Sequence, residues 1–411
     1  KLAEVAVATD CIDVPLDAKR PLLHCDFNTG MVFLRSSAAV LNFTEQWREK
    51  VANAKEVRIR DQAAFNMITK ATPGLAPYRP PDGSSAERIF VAGSGGSTPL
   101  LLGVLPLSRF LNGHTFFVQH AHTLPGAERP ISVHMTYQFA EGQNFAYGKR
   151  QRLREAGLWF VDEDEYFRGR YVTVSAKSAN LPVMQIATDA DSREAVKQHM
   201  AEHAHRIAVL QALLGVAKAL GRGVVLPRML CYCDYLWKEM KACRVGGAET
   251  MRLPFDCPMD HVLHTPNFFE NSLGVPVREP GFLANPRVSP NISGSVVRAA
   301  LPPRASTDSA IREALAPHAH AAVIELEMAA GLFCGFVDQQ VDAAFRLESE
   351  RVLSYDRVPF CTMEGSDNAP LYSRCCEPWH PGEKFFPCTY GFGKPARLPA
   401  CNTTSKDGKH G

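Results

Sequence analysis

Short apolar runs alternate with amphipathic stretches through the first seventy residues. AEVAVATD (3–10) and MVFLR (31–35) are too brief for helices and read as strands, while AAVLNFTEQWREKVANA (38–54) spaces its apolar side chains along one helical face. That sequence of strand, loop, strand and helix predicts an α/β fold. ATPGLAPYRPPDGSS (71–85) breaks the pattern with proline and glycine and is expected to be a surface loop. IFVAGSGGS (89–97), LLLGVLPLSRFL (100–111) and HTFFVQHAHTLPG (114–126) follow, then ISVHMTYQFA (131–140), whose β-branched and aromatic content suits a strand. Residues 192–220 form the longest helical pattern, stopped by Gly221 and Gly223 and followed by VVLPRMLCYC (224–233), expected to be a buried strand. Beyond Pro302, residues 314–353 read as a helical stretch that leads into a Cys-, Pro- and Gly-rich tail from Cys361, expected to be tied by disulfides.

Composition adds exclusions. The 411 residues are 45% hydrophobic and 21% charged, the profile of a globular chain able to bury a large core. Forty-five basic against 43 acidic residues leave a formal charge of +2, which argues against a nucleic-acid partner. No run of 18 apolar residues occurs, and the first residues resemble no signal peptide. Twelve cysteines and three N-x-S/T acceptors, at Asn42, Asn291 and Asn402, together favour the secretory pathway over a cytosol full of buried reduced thiols.

Several motifs could carry chemistry. FNTGMVFLR (27–35) puts Asn28 and Gly30 in a turn where backbone can approach a ligand, and RDQAAFN (60–66) supplies Asp61 beside Gln62, a pair suited to sugar hydroxyls or to a plain surface turn. In VHMTYQFAEGQNFAYGKRQRLREA (133–156), His134 precedes Lys149, Arg150, Arg152 and Arg154. Those cations could neutralise a diphosphate with His134 on its divalent ion, or form a solvated helix start. Asp162 with Asp164, and Asp189 with Asp191, have D-x-D spacing. HMAEH (199–203) matches the inverted zincin pattern, which would place His199 and His203 around zinc, although a solvated helix face accounts for the same residues. Cys231, Cys233, Cys243 and Cys257, with His261 and His264 near, suit either a thiolate zinc site or disulfides. GSGGS (93–97) is a flexible turn.

FNTGMVFLRSS, the helix bearing Trp47 and Arg48, RDQAAFN, LGVLPLSRFLNGHTFFVQ, VHMTYQFAEG, YGKRQRLREA, GRGVVLPRMLCYCD and LPFDCPMDHV occur in an order that resembles glycosyltransferase family 77 of plants and green algae, over about residues 5–285. The cysteine-bearing segments are most similar to members that arabinosylate extensin-type, hydroxyproline-rich cell-wall glycoproteins. The resemblance implies a GT-A-like nucleotide-diphospho-sugar transferase, anchored as a type II membrane protein with its catalytic part in the Golgi lumen, retaining in stereochemistry and assisted by Mn²⁺. It implies L-arabinofuranose taken from UDP-arabinofuranose and added to hydroxyproline-linked arabinose chains, with xylosyl or galactosyl transfer as the neighbouring specificity. A zinc peptidase and an inactive carbohydrate-binding relative are the readings from other classes.

The family's metal-binding D-x-D precedes the segment that resembles AVATDC. The chain is therefore expected to lack the first strands of the fold, to carry its membrane anchor upstream, and to use neither Asp10 nor Asp13 as those carboxylates. Carried onto matching positions, Asn28 and Gly30 would line the donor pocket, with Lys149, Arg150 and Arg152 on the diphosphate. Asp61 and Gln62 would hold the transferred sugar or acceptor, and His134 would be the metal's protein ligand. The expected organisation is 1–165 as the later part of the catalytic domain, 166–300 as its α/β continuation with the cysteine cluster, and 301–411 as a helical segment with the Cys-rich tail.

Overall fold

A computed structural model describes residues 3–53, 59–71, 74–92, 100–138, 145–186, 192–234, 244–301, 306–353 and 401. The chain divides into two compact units, 1–137 and 138–411. The divide falls ahead of the expected boundary at 165, because the helix that carries residues 145–155 packs with the second unit: its Glu155 accepts from Met259 N and its Arg152 meets Asp260.

In the first unit the chain runs β1 (Val5–Thr9), α1 (Val14–Lys19), β2 (Phe27–Leu34), α2 (Ala38–Ala52), α3 (Asp61–Thr69), β3 (Leu75–Pro77), β4 (Ile89–Ala92), β5 (Leu100–Val104), β6 (Phe110–Asn112), α4 (Gly113–Phe117) and β7 (Ser132–His134). A mixed sheet of order β2-β1-β5-β4-β3 carries this unit, with β1 parallel to β5 and its other neighbouring pairs antiparallel. The expected strand and helix segments of the first seventy residues are present. The loop predicted over 71–85 instead contributes β3, an edge strand, where proline is tolerated because one side of the ladder needs no donor.

Alternate side chains of β1 and β5 drive the packing of this unit. Val5, Val7, Leu100, Leu102 and Val104 are buried with Phe27, Val40, Phe43 and Phe65. Phe65 on α3 takes Phe27, Phe43 and Trp47 on its edges or face, with ring centroids 5.1–6.1 Å apart, which fixes both helices on the sheet. Ser37 caps α2 by accepting from Val40 N. Between β1 and β2 the register jumps: Val7 faces Val32 but Ala8 faces Asn28, so Thr29, Gly30 and Met31 bulge out of the ladder.

The second unit contains α5 (Phe145–Glu155), β8 (Tyr171–Val174), α6 (Ala176–Ala179), α7 (Ser192–Leu220), β9 (Gly223–Val225), β10 (Leu230–Cys231), β11 (Phe255–Asp256), α8 (Thr265–Phe269), β12 (Val277–Arg278), α9 (Pro290–Ser293), β13 (Val296–Ala300), β14 (Ser306–Thr307), α10 (Asp308–Leu315), β15 (Val323–Glu327), β16 (Phe333–Gly335) and α11 (Gln339–Leu353). Its main sheet is wholly parallel, of order β12-β9-β8-β15-β13. Such a sheet is covered on both faces, and β8 and β9 are accordingly buried throughout.

The long helix α7 spans the expected residues. VVLPRMLCYC, by contrast, is two short strands, since Pro227 removes a ladder donor between β9 and β10. The helical reading of 314–353 is corrected as well: only Gln339–Leu353 is a long helix, and VIELE is the strand β15, bonded to β8 and β13. Alanines around it raised apparent helicity, whereas apolar positions two apart in Val323–Glu327 had strand period. Disulfides join Cys11 to Cys25, Cys231 to Cys257 and Cys334 to Cys401. Residues 93–97, Asp189, Asp191, Cys243 and the tail 361–400 lie outside the described residues.

Candidate functional site

The bulge in β2 and the first turn of α3 meet at the carboxyl end of β1, where β1 delivers Asp10. Both Asp10 oxygens are used: Asn28 Nδ2 donates to Oδ1 at 2.6 Å and Gln62 Nε2 donates to Oδ2 at 2.8 Å. Asn28 Oδ1 in turn accepts from Gly30 N at 2.8 Å, which holds the bulge in shape. Thr29 Oγ1 donates to Asp61 Oδ2 at 2.8 Å, and Trp47 Nε1 donates to the Asp61 carbonyl at 2.8 Å. One carboxylate thus orders two of the sequence-predicted residues, and the neighbouring turn orders a third. Asp61 remains exposed and Gln62 half-buried, so both reach solvent from a fixed backbone.

His134 closes the same site. It ends β7, and its imidazole lies against Gly30: a Cβ placed there would fall 2.1 Å from Cε1 and 2.2 Å from Nε2. Only glycine lets the ring and the β2 backbone approach so closely. Tyr137, three residues on, has the left-handed backbone φ of 54° and donates its hydroxyl to the Asp10 carbonyl. Asn112 Nδ2 donates to the Cys11 carbonyl at 2.7 Å and Gln119 Nε2 to the Ile12 carbonyl at 2.7 Å, so the loop leaving β1 is pinned on its other side. Asn112 and Thr115 also form a capping box that sets α4.

Asn28, Gly30, Asp61, Gln62 and His134 therefore converge within the first unit. The residues overlooked in sequence are Asp10, Thr29, Asn112, Gln119 and Tyr137. An acid at the end of the AEVAVATD strand was the visible signal for Asp10.

The cationic part of the expected site lies on α5 in the second unit, and there the residues separate. Lys149 is exposed. Arg150 is half-buried, its guanidinium 5.0 Å from the ring centre of Tyr147 and 5.5 Å from that of Phe269. Arg152 has no solvent exposure and its Nε donates to both Asp260 oxygens at 3.0 Å, so it is withdrawn from any diphosphate cradle: its charge is matched inside the fold. Arg154 is likewise paired with Asp162, Nε to Oδ2 at 2.8 Å, and lies over the Tyr166 ring. Arg287 takes Asp164 at 2.8 Å. Asp162 and Asp164 are thus partners of arginines, which removes them as a metal-binding pair.

Two other readings are corrected. His199, Glu202 and His203 are buried, at 2%, 1% and 5% exposure, and do not form a solvated helix face. Burial and the Arg206 charge hold His203 down at about 3 and His199 well below its ordinary value, so both imidazoles are neutral. Cys231 is bonded to Cys257 and Cys233 is also in a disulfide, which excludes a four-thiolate zinc site.

Among the described residues the one set of three close His, Cys or carboxylate ligand atoms is Cys11, His24 and Cys25, where the two sulfurs are bonded to each other. Among the described residues His134 is not grouped with two further protein ligands, and its imidazole offers one ligand. Among the described residues no helix is long and apolar enough to cross a membrane.

Residues 2–153 match the family model described as nucleotide-diphospho-sugar transferase. Over 276 residues the chain is 29% identical to Arabinosyltransferase XEG113 of Arabidopsis thaliana, covering 66% of this chain and 39% of that protein. No solved structure matches the chain. The family match contains every residue of the Asp10 network and α5 as far as Leu153.

Proposed function

We propose that this chain, matched over residues 2–153 to the nucleotide-diphospho-sugar transferases, is a glycosyltransferase that moves L-arabinofuranose from UDP-arabinofuranose to arabinose chains on hydroxyproline-rich, extensin-like glycoproteins. The single observation that carries the reading is the convergence of Asn28, Gly30, Gln62 and His134 on the carboxyl end of β1, with Asp61 alongside, inside the matched segment. Ligands of open α/β sheets bind beyond the carboxyl ends of their strands, and here that edge offers amide, carboxylate and imidazole groups suited to a sugar's hydroxyls.

In this reading Asn28 and Gly30 line the donor pocket, Asp61 and Gln62 orient the transferred sugar or the acceptor, and Lys149 with Arg150 meets the leaving diphosphate. Transfer with retention needs no separate base, because the departing phosphate can accept the acceptor's proton. The barrier then falls mainly by stabilising charge that develops on the leaving group. Mn²⁺ belongs to the proposal with His134 as one ligand, and no step depends on it. A lumenal location is supported by the described disulfides, which persist in oxidising compartments, and the Golgi and a type II anchor belong to the proposal.

The test is turnover of a panel of UDP-sugars with a hydroxyproline-arabinoside acceptor. UDP-arabinofuranose should give the highest kcat/KM, and His134→Ala or Lys149→Ala should abolish transfer while leaving the folded protein intact. Preference for UDP-xylose or UDP-galactose would keep the transferase and change its sugar. Wild-type turnover in both variants would remove the assigned roles.

A further inference from the structure

Two of the three N-x-S/T acceptors lie within eight residues along the chain of an edge strand of one of the two five-stranded sheets. Asn42 is exposed on α2, and Asn291 is exposed on α9. β2 is an edge strand of the first sheet, and its far end shows Phe33 and Leu34 to solvent at 59% and 41%. Asn42 follows eight residues after that strand ends, with Leu41 beside it 66% exposed. β13 is an edge strand of the parallel sheet, shows Val296 to solvent, and begins five residues after Asn291. An uncovered edge strand with apolar side chains at its surface is a template for pairing with another copy, and proteins ordinarily blunt it with charge, proline or a cover.

We propose that Asn42 and Asn291 carry N-linked glycans, and that these glycans are the cover for the two edges. The chemistry is complete in stated parts. The Asn Nδ2 forms a bond to the anomeric carbon of a lipid-linked oligosaccharide, the bond from that carbon to the lipid diphosphate breaks, and the amide loses one proton to the transferring enzyme's base. Transfer occurs on the chain before it folds, so the later helical state of Asn42 is no obstacle. What the fold must supply is room for the product, and both asparagines have it. Thr44 and Ser293 supply the acceptor hydroxyls and are themselves near the surface, with Thr44 Oγ1 donating only locally to the Leu41 carbonyl. The proposal rests on the lumenal placement above, and not on which sugar this chain transfers.

The full chain, isolated from a eukaryotic secretory pathway, should give Asn42 and Asn291 peptides that gain the mass of deamidation on treatment with an amide-cleaving endoglycosidase. In an Asn402→Gln background, Asn42→Gln and Asn291→Gln should each remove one glycan step on a gel. Thr44→Ala and Ser293→Ala should do the same while keeping the asparagine. The double variant should sediment as aggregate severalfold more than the wild type, with UDP-sugar turnover per folded molecule unchanged. Unmodified asparagines in protein whose Cys11–Cys25 and Cys231–Cys257 disulfides have formed would overturn the glycan sites and leave the lumenal reading standing. Free thiols together with unmodified asparagines would overturn both. Glycans whose removal leaves sedimentation unchanged would overturn the covering role.

Discussion

Asp10 holds two amide donors at once, and that double use makes the position intolerant of even an isosteric change. In Asp10→Asn one of its two acceptor oxygens becomes an NH₂ group pointing at the NH₂ of Asn28 or Gln62. Hydrogen bonds to a charged group are each worth about 1.5–3 kcal/mol, so kcat/KM for the donor should fall about 10- to 100-fold while the circular dichroism spectrum stays native. Unchanged kinetics in that variant would mean that Asp10 orders nothing the reaction needs. At Gly30 the contact is steric. Gly30→Ala pushes a methyl into the His134 ring, at a cost of about 1–3 kcal/mol for overpacking. Adding His134→Ala should recover most of that stability, and a denaturant-based double-mutant cycle measures the coupling. Additive losses would place the strain elsewhere.

At the scale of elements, α3 is a lever: its first turn carries Asp61 and Gln62, and Phe65 one turn on anchors it among Phe27, Phe43 and Trp47. Phe65→Ala should cost about 3–5 kcal/mol by leaving a cavity. Phe65→Leu should keep the fold at a cost of about 1 kcal/mol and yet lower turnover well below the unfolding temperature, because the helix is less firmly seated. Equal turnover in Phe65→Leu and wild type would uncouple that packing from the site.

Elements of this kind were legible where the period was long and clean, as in α7, or where a turn and its neighbours formed a motif, as at Asn28–Gly30 and Asp61–Gln62. They were not legible where long-range partners decided the outcome. Arg152 looked like a free cation because Asp260 lies 108 residues away. His199 and His203 looked solvated because the chain that buries them, around Tyr232, lies some thirty residues further on, where Tyr232 N donates to His199 Nδ1. Val323–Glu327 looked helical because its ladder partners, β8 and β13, are distant in sequence or separated from it by a helix. Beyond its place at a strand end, Asp10 has no local sign of its role because its partners, Asn28 and Gln62, lie 18 and 52 residues further along the chain.

For the molecule as a whole, ionisable groups sealed inside the second unit set how stability depends on pH. His203, with an ordinary value of 6.5, is held at about 3 by burial and by Arg206, and His199 is shifted in the same direction by burial, Arg206, His203 and His261. As pH falls below 6.5 the unfolded chain takes up protons that the folded chain refuses, so both histidines destabilise the fold progressively, His203 down to about pH 3. Glu155 acts in the opposite sense. Burial and the Asp260 charge raise it from 4.5 to about 8, against the hydrogen bonds from Met259 N and Gln151. Between 4.5 and 8 the folded chain holds a proton that the unfolded chain lacks, so stability is lost as pH rises through that window. Each such proton changes unfolding free energy by about 1.4 kcal/mol per pH unit. Two histidines outweigh Glu155 below 6.5, and above it Glu155 acts in the same sense as Glu202, which burial also raises, so the melting temperature should peak near that pH and fall on both sides. The acid limb should steepen below 4.5, where Glu155 no longer opposes the histidines. Glu155→Gln should flatten the alkaline limb, and His203→Gln should reduce the slope of the acid limb. Thermal melts from pH 4 to 8.5 check this: a melting temperature that keeps rising to pH 8.5, or an alkaline limb that survives in Glu155→Gln, would show that these buried groups do not govern the profile.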